Sequence, residues 1–258
     1  MDDRGMTRGM TGGTTLLDTY RDKVVGVLDR LVAEQRGALE TAQAWVAETL
    51  RADGLVYATG SGHSHLIAAE VFYRAGGIAP LQAIFDPPLM LHEGAQRSTQ
   101  LERIEGYAAS VLAAYPLGPK DILFIVSNSG RNAFPVEAAL HAKTRGTRTV
   151  AITSMDHAGK VASRHSSGRS LHDVADLVID NAVAQGDASL EIAGTDLRMG
   201  PVSTIAGAFI MNIVMAGAVE TLAAQGIAVD VYKSANLDNG DSGADAIVER
   251  WRGRIKGL

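Results

Sequence analysis

Asp121-Ile-Leu-Phe-Ile-Val126, followed by Ser127-Asn-Ser-Gly-Arg-Asn132, is the stretch that decides the fold. Five consecutive apolar residues are enough for a strand and too few for a helix, and with no polar residue among them neither face is spared burial. Such a strand reads as the centre of a parallel sheet with helices on both sides. After it come a hydroxyl, an amide, a hydroxyl and a glycine, then a helix start at which Asn132 is placed to cap and Pro135 falls in the first turn. A small anion suits that loop, because free N–H groups and the positive end of the helix dipole favour negative charge and Ser127 and Ser129 offer hydroxyl donors. Serine and glycine also make ordinary turns. The reading gains from a second loop of the same build, Leu55-Val-Tyr-Ala58 followed by Thr59-Gly-Ser-Gly-His-Ser64, again ahead of a helical pattern. Two such strand-to-helix turns point to one cleft.

The totals fit that architecture. A chain of 258 residues, 46% apolar and 21% charged, can bury one α/β domain with additions or two small domains, and a net charge of -5 argues against a nucleic-acid partner. The absence of cysteine excludes disulfides, thiolate catalysis and cysteine metal sites, and points to the cytoplasm. Residues 1–15, rich in Gly, Thr and Met without periodicity, read as a disordered start lacking the apolar core of a signal peptide. Ile205 to Val219 is too short to span a membrane and contains Asn212, so it reads as a buried helix and no membrane partner is expected.

Along the chain, apolar residues recur at threes and fours from Leu16 to Leu50, which predicts a helical segment over 16–53 that Gly26 and Gly37 divide and Asp53-Gly54 ends. The pattern continues with a helix over 64–75 stopped by Gly76-Gly77, a strand over 81–85, a polar loop over 90–99 and a helix over 101–115. Beyond the central strand come a helix over 133–145 and a strand over 149–154. The irregular segment 155–173 carries Lys160, Arg164, His165, Arg169 and His172, and is either a solvated loop or a lid over an anionic ligand. A strand over 174–179, a polar loop over 182–201 and a Ser203-capped helix over 204–224 complete the main body. The extension 226–258 offers a strand-like run at 227–232, a turn at Asn236–Gly240 and a helix near Trp251.

Ligands of open α/β sheets sit beyond the carboxyl ends of the strands where the strand order reverses. With order 2-1-3-4-5 the two glycine loops face each other there, the hydroxyls of Thr153 and Ser154 lie one strand further on, and phosphate is the ligand these donors suit. The dinucleotide fingerprint lacks its third glycine, since His65 stands in that place, although Asp86 at the end of the second strand remains compatible. No Lys-Ser or Lys-Thr pair completes a P-loop. His63, His65 and the His92-Glu93 pair lack a matching ligand cluster, so neither a metal nor a cofactor is expected.

With these loops in place, the chain resembles the sugar isomerase (SIS) domain family, which binds phosphosugars, over about residues 54–225. The resemblance rests on Gly60-Ser-Gly-His-Ser64, Ser127-Asn-Ser-Gly130 and Ile152-Thr-Ser154. His92-Glu-Gly-Ala, Leu101-Glu-Arg, Ser163-Arg-His-Ser-Ser-Gly168 and Ser234-Ala-Asn-Leu-Asp238 look like a subgroup labelled phosphoheptose isomerases. It implies a three-layer αβα sandwich on a five-stranded, flavodoxin-like parallel sheet of order 2-1-3-4-5. It also implies a phosphosugar held by Ser61, Ser64, Ser127, Asn128, Ser129, Arg131, Asn132, Thr153 and Ser154, and a homo-oligomer, dimer or tetramer, whose clefts are completed by a second subunit. Glu70 matches the glutamate that phosphoheptose isomerases and muramic acid phosphate etherases carry after the first glycine loop. Asn212 stands where the isomerases use a histidine on the last long helix, which leaves His92 as the candidate acid. The expected activity is aldose/ketose isomerisation of a sugar phosphate with Glu70 as base. The alternatives are a sensor or regulatory module without turnover, and a lyase or etherase acting on an amino-sugar phosphate. A DNA-reading regulator would need a basic helix-turn-helix ahead of the domain, whereas residues 16–50 form one amphipathic pattern of mixed charge.

Overall fold

The computed structural model describes residues 15–234 and 241–258. The stretch read as a disordered start, apart from its last residue, and the turn expected at Asn236–Gly240 lie outside these residues. The chain runs α1 (Leu16–Glu34), α2 (Arg36–Arg51), β1 (Val56–Gly60), α3 (His65–Val71), β2 (Leu81–Ala83), α4 (Ala95–Leu101), α5 (Tyr107–Leu112) and β3 (Ile122–Val126). It continues through α6 (Ala133–Thr144), β4 (Arg148–Thr153), α7 (Met155–Ala158), α8 (Leu171–Val174), β5 (Leu177–Asp180), the short hairpin β6 (Leu190–Glu191) and β7 (Arg198–Met199), α9 (Ser203–Ala224) and α10 (Asp241–Trp251).

Five strands form one parallel sheet in the order β2-β1-β3-β4-β5. All five residues of β3 are buried, and successive side chains go to opposite faces. Ile122, Phe124 and Val126 join a core built with α1, α2, α3 and α9, while Leu123 and Ile125 join a second core built with α5, α6 and α8. The result is a three-layer αβα sandwich. Among the described residues α9 is the one helix long and apolar enough to cross a membrane by length and composition, and in this fold it packs on α2 and α3.

Several boundaries differ from the pattern reading. The N-terminal break falls at Gln35, between the two glycines, both of which sit inside helices. α3 stops at Val71, four residues early: Phe72 turns extended and Tyr73 takes φ 42°, which brings their rings onto Phe85 and Tyr232. Residues 95–99, read as loop, belong to α4, and Gly106 at φ 86° separates that helix from α5, dividing the single helix expected over 101–115. The last main strand begins at Leu177 because α8, closed by a reciprocal Ser170–Asp173 cap, occupies 171–174. Asp187, rather than Ser203, caps α9. Its carboxylate accepts the Val202 and Ser203 N–H groups and the Ser203 hydroxyl, a bond set that only the folded 182–201 segment can supply. The strand-like run at 227–232 contributes a single antiparallel bridge, Ile78 to Val231.

Candidate functional site

Parallel pairing of β1 with β3 places Gly60 beside Val126, so the turns that follow them emerge side by side at the point where the strand order reverses. The first turn is tight. A Cβ on Gly60 would lie 2.7 Å from the Ser64 carbonyl carbon and oxygen, so the chain can fold back into the 3-10 turn Gly62–Ser64 and α3 only with glycine there. The gap between the two turns is lined by His63, Ser64, Ile67, Asn128, Asn181 and Thr204, among others. Asn128 is fixed in it: its Oδ1 accepts the Asn181 amide at 2.8 Å and its carbonyl accepts the Ser154 N–H at 3.0 Å.

The second turn closes on itself through the Gly130 N–H, which donates to Ser127 Oγ at 3.2 Å. Gly130 has φ 59°, and a Cβ there would crowd Leu171 and the Thr153 hydroxyl at 3.3 Å. The turn therefore holds its N–H groups outward at the N-terminus of α6. Those of Asn128, Ser129 and Arg131, and the Ser129 hydroxyl, meet no acceptor among the described residues. Arg131 Nε is buried without an acceptor as well. Donors without acceptors at a helix N-terminus form an anion-binding arrangement.

Glu102, at the end of α4, ties the two turns together. One carboxylate oxygen accepts Ser61 Oγ–H and the other accepts Asn132 Nδ2–H, both at 2.6 Å. Asn132 therefore stands at the N-cap position of α6 without capping it, because its amide group is taken: Nδ2 by Glu102 and Oδ1 by Arg164, at 3.0 Å. Burial raises the Glu102 pKa above the ordinary carboxylate range, while the Ser61 hydrogen bond, Arg103 and Arg164 pull it back. Arg164 is held by its own N–H on the Arg131 carbonyl at 2.7 Å, and burial, Arg131 and Arg103 lower its pKa. Arg103 and Arg164 thus act on one carboxylate while Arg131 acts on Arg164, a surplus of positive charge beside the uncommitted donors. Glu102 was visible in the sequence only inside the Leu101-Glu-Arg motif, and Asn181 gave no signal at all, since each acquires its role through a contact distant in sequence.

The remaining candidates are dispersed. Thr153 and Ser154 are fully buried; the Thr153 hydroxyl faces the Asn128 carbonyl at 3.3 Å, and Ser154 donates to the Val183 carbonyl and caps α7. They brace the second turn from beneath. Glu70 is one turn along α3 from Ile67, on the same side of the helix, and 38% of its side chain is exposed. It pairs with Arg74. His92 lies on the far side of the first turn, 69% exposed, and shares an apolar pocket with Gly62, His65 and Phe85. His65 is buried against Phe85 at 5.1 Å between ring centres, and burial, then His92, lowers its pKa. Asn212 is exposed on α9 and bonds back to the Ala208 carbonyl.

The Glu102 bridge makes a prediction. Glu102→Ala strands the Ser61 hydroxyl and the Asn132 amide in a mostly buried place, at a cost of about 2 to 4 kcal/mol. For a chain of this size that is a fall in Tm of roughly 4 to 16 °C. An unchanged Tm by calorimetry would show that the bridge does not hold the turns.

A family model described as the SIS domain matches residues 19–154. A UPF0309 protein of Listeria monocytogenes serotype 4b is 39% identical over 240 residues, covering 93% of this chain and 97% of the relative. A UPF0309 protein of Geobacillus kaustophilus is 40% identical over 240 residues, with 93% and 96% covered. Among solved structures, the phosphoheptose isomerase of Neisseria gonorrhoeae superposes with a TM-score of 0.51 at 16% identity, covering 78% of this chain and 96% of that one, a likeness of fold. With the strand order, the two facing turns and relatives matched along nearly their whole length, the chain belongs to the SIS-domain proteins of the UPF0309 family.

Proposed function

We propose that this protein binds a sugar phosphate in the cleft between the Gly60–Ser64 and Ser127–Asn132 turns and isomerises it between aldose and ketose forms. The observation that carries the reading is the set of donors left without acceptors at the α6 N-terminus, beside the buried Arg131 Nε. A phosphate dianion supplies the acceptors they lack. Ser129, Ser127 and the backbone N–H groups of Asn128, Ser129 and Arg131 hold the phosphate, Arg131 and Arg164 offset its charge, and Ser61, Asn132 and Thr153 keep the turns in place. Ser64 and Asn128 face the sugar.

Isomerisation needs a base that removes a proton beside the carbonyl and returns it to the neighbouring carbon. Glu70 takes that role, with a small movement releasing it from Arg74, and His92 serves as the acid. The phosphoheptose isomerase with the same fold favours this chemistry over a sensor without turnover or a lyase acting on an amino-sugar phosphate. No metal or cofactor is required for the step. The acidic charge balance and absence of cysteine fit a cytoplasmic protein without a nucleic-acid partner.

A thermal-shift screen across sugar phosphates tests the binding claim, because a ligand taken only by the native state raises Tm. Several sugar phosphates should raise it by degrees while the corresponding free sugars do not. A flat response to all of them would reject the proposal.

The assembly is a homo-oligomer. α9 is apolar all round and leaves Ile205 and Ile213 exposed, α3 leaves Leu66 exposed, and α1 leaves Leu16, Leu17 and Val25 exposed. Apolar surface on neighbouring helices of one layer is what a symmetric interface covers. Light scattering at micromolar concentration should give a mass of two or four chains of 27.1 kDa; a monomer mass would contradict it.

A further inference from the structure

Glu105, Glu137 and His165 come from three separate segments: the turn after α4, the second turn of α6, and the 159–170 loop. One ligating atom from each lies within 4.8 Å of the other two. The surrounding bonds aim them at one another. Glu105 accepts the Ser166 N–H at 2.6 Å and the Ser166 hydroxyl at 2.7 Å, and Glu137 Oε1 accepts the Gly106 N–H at 2.6 Å. The His165 ring is nine-tenths buried, with Nδ1 on Ser167 Oγ at 2.7 Å. Its Nε2 makes no hydrogen bond among the described residues and faces Glu137 Oε1 at 3.7 Å. Glu137 Oε2 is buried and has no partner among the described residues.

Two carboxylates this close repel, and a buried carboxylate oxygen without a donor is costly. A cation among the three groups answers both. We propose that Glu105, Glu137 and His165 bind one divalent transition-metal ion, Zn2+ by its donor set, outside the sugar-phosphate cleft. One imidazole and two carboxylates, with a water as fourth ligand, is an ordinary Zn2+ environment. Bonds of about 2.0 to 2.1 Å hold tetrahedral donors about 3.4 Å apart, close to the His165–Glu137 separation, so the site closes by modest side-chain movement. Nδ1 meets both the Ser167 N–H at 3.2 Å and Ser167 Oγ at 2.7 Å; with metal on Nε2 the ring proton would sit on Nδ1 and donate to Ser167 Oγ. The ion would clamp the 163–168 segment onto α6 and so hold Arg164 against Asn132, next to the phosphate donors. The site itself does not depend on the sugar-phosphate reading.

The test uses the untagged full chain, stripped with a chelator and titrated with Zn2+ in competition with a chromophoric chelator. Wild type should take up one Zn2+ per chain with a rise in Tm, and Co2+ should give the visible absorption of a tetrahedral site. His165→Gln and Glu137→Gln should each weaken Zn2+ binding at least a hundredfold, and His141→Gln, at the far end of α6, should bind as wild type does. If either variant fails to fold, Glu105→Gln, altering an exposed ligand, gives the same reading. Uptake below one tenth of an equivalent by wild type, or ligand variants that bind as tightly as wild type, would overturn the site.

Discussion

The Ser127→Ala, Ser129→Ala double variant is expected to bind sugar phosphates about 10² to 10⁴-fold more weakly than wild type. A hydrogen bond to a charged group contributes about 1.5 to 3 kcal/mol, and each 1.4 kcal/mol is a factor of ten in affinity. Ser129 has no acceptor among the described residues and loses only its ligand contact, whereas Ser127 also accepts the Gly130 N–H, so its removal loosens the turn that presents the backbone donors. Comparing the two single variants separates these effects. Ser129→Ala should leave Tm unchanged while affinity falls, because the residue is half-buried and its hydroxyl makes no hydrogen bond among the described residues. A double variant of undiminished affinity, measured by calorimetry, would remove the phosphate from this loop.

Glu70→Gln should leave sugar-phosphate affinity within a few-fold of wild type and lower turnover by about 10² to 10⁴-fold, the usual contribution of one general base. The amide keeps the shape of the side chain and cannot take a proton. The readout is exchange of substrate C–H hydrogen with deuterated water, followed for the ligands that raise Tm in the screen. Equal exchange in wild type and variant would exclude Glu70 and turn attention to Glu102, the carboxyl between the two turns, whose pKa burial raises. Binding without exchange in wild type would favour a sensor.

The central layer was legible because its signal is local. Five apolar residues in a row permit only a strand buried on both faces, and the register that aligns Gly60 with Val126 follows once β1 and β3 are neighbours. The serine and glycine turns were legible for the same reason, since a strand, a glycine and a helix start lie within a dozen residues. What the sequence concealed depends on distant partners. Asn132 looked like a helix cap, but Glu102 and Arg164, each about thirty residues away, draw its amide elsewhere. α3 looked four residues longer because Phe72 and Tyr73 fit a helical spacing, yet their rings are worth more against Phe85 and Tyr232. The metal cluster could not be read from spacing either, since its ligands at 105, 137 and 165 meet only when two loops settle on α6.

The account stands on the phosphate. Titration calorimetry of wild type with the best sugar phosphate from the screen, and with the same sugar lacking its phosphate, tests this most directly. The account predicts binding of the phosphorylated sugar and at least a hundredfold weaker binding of the free sugar; equal affinity for the two would contradict it.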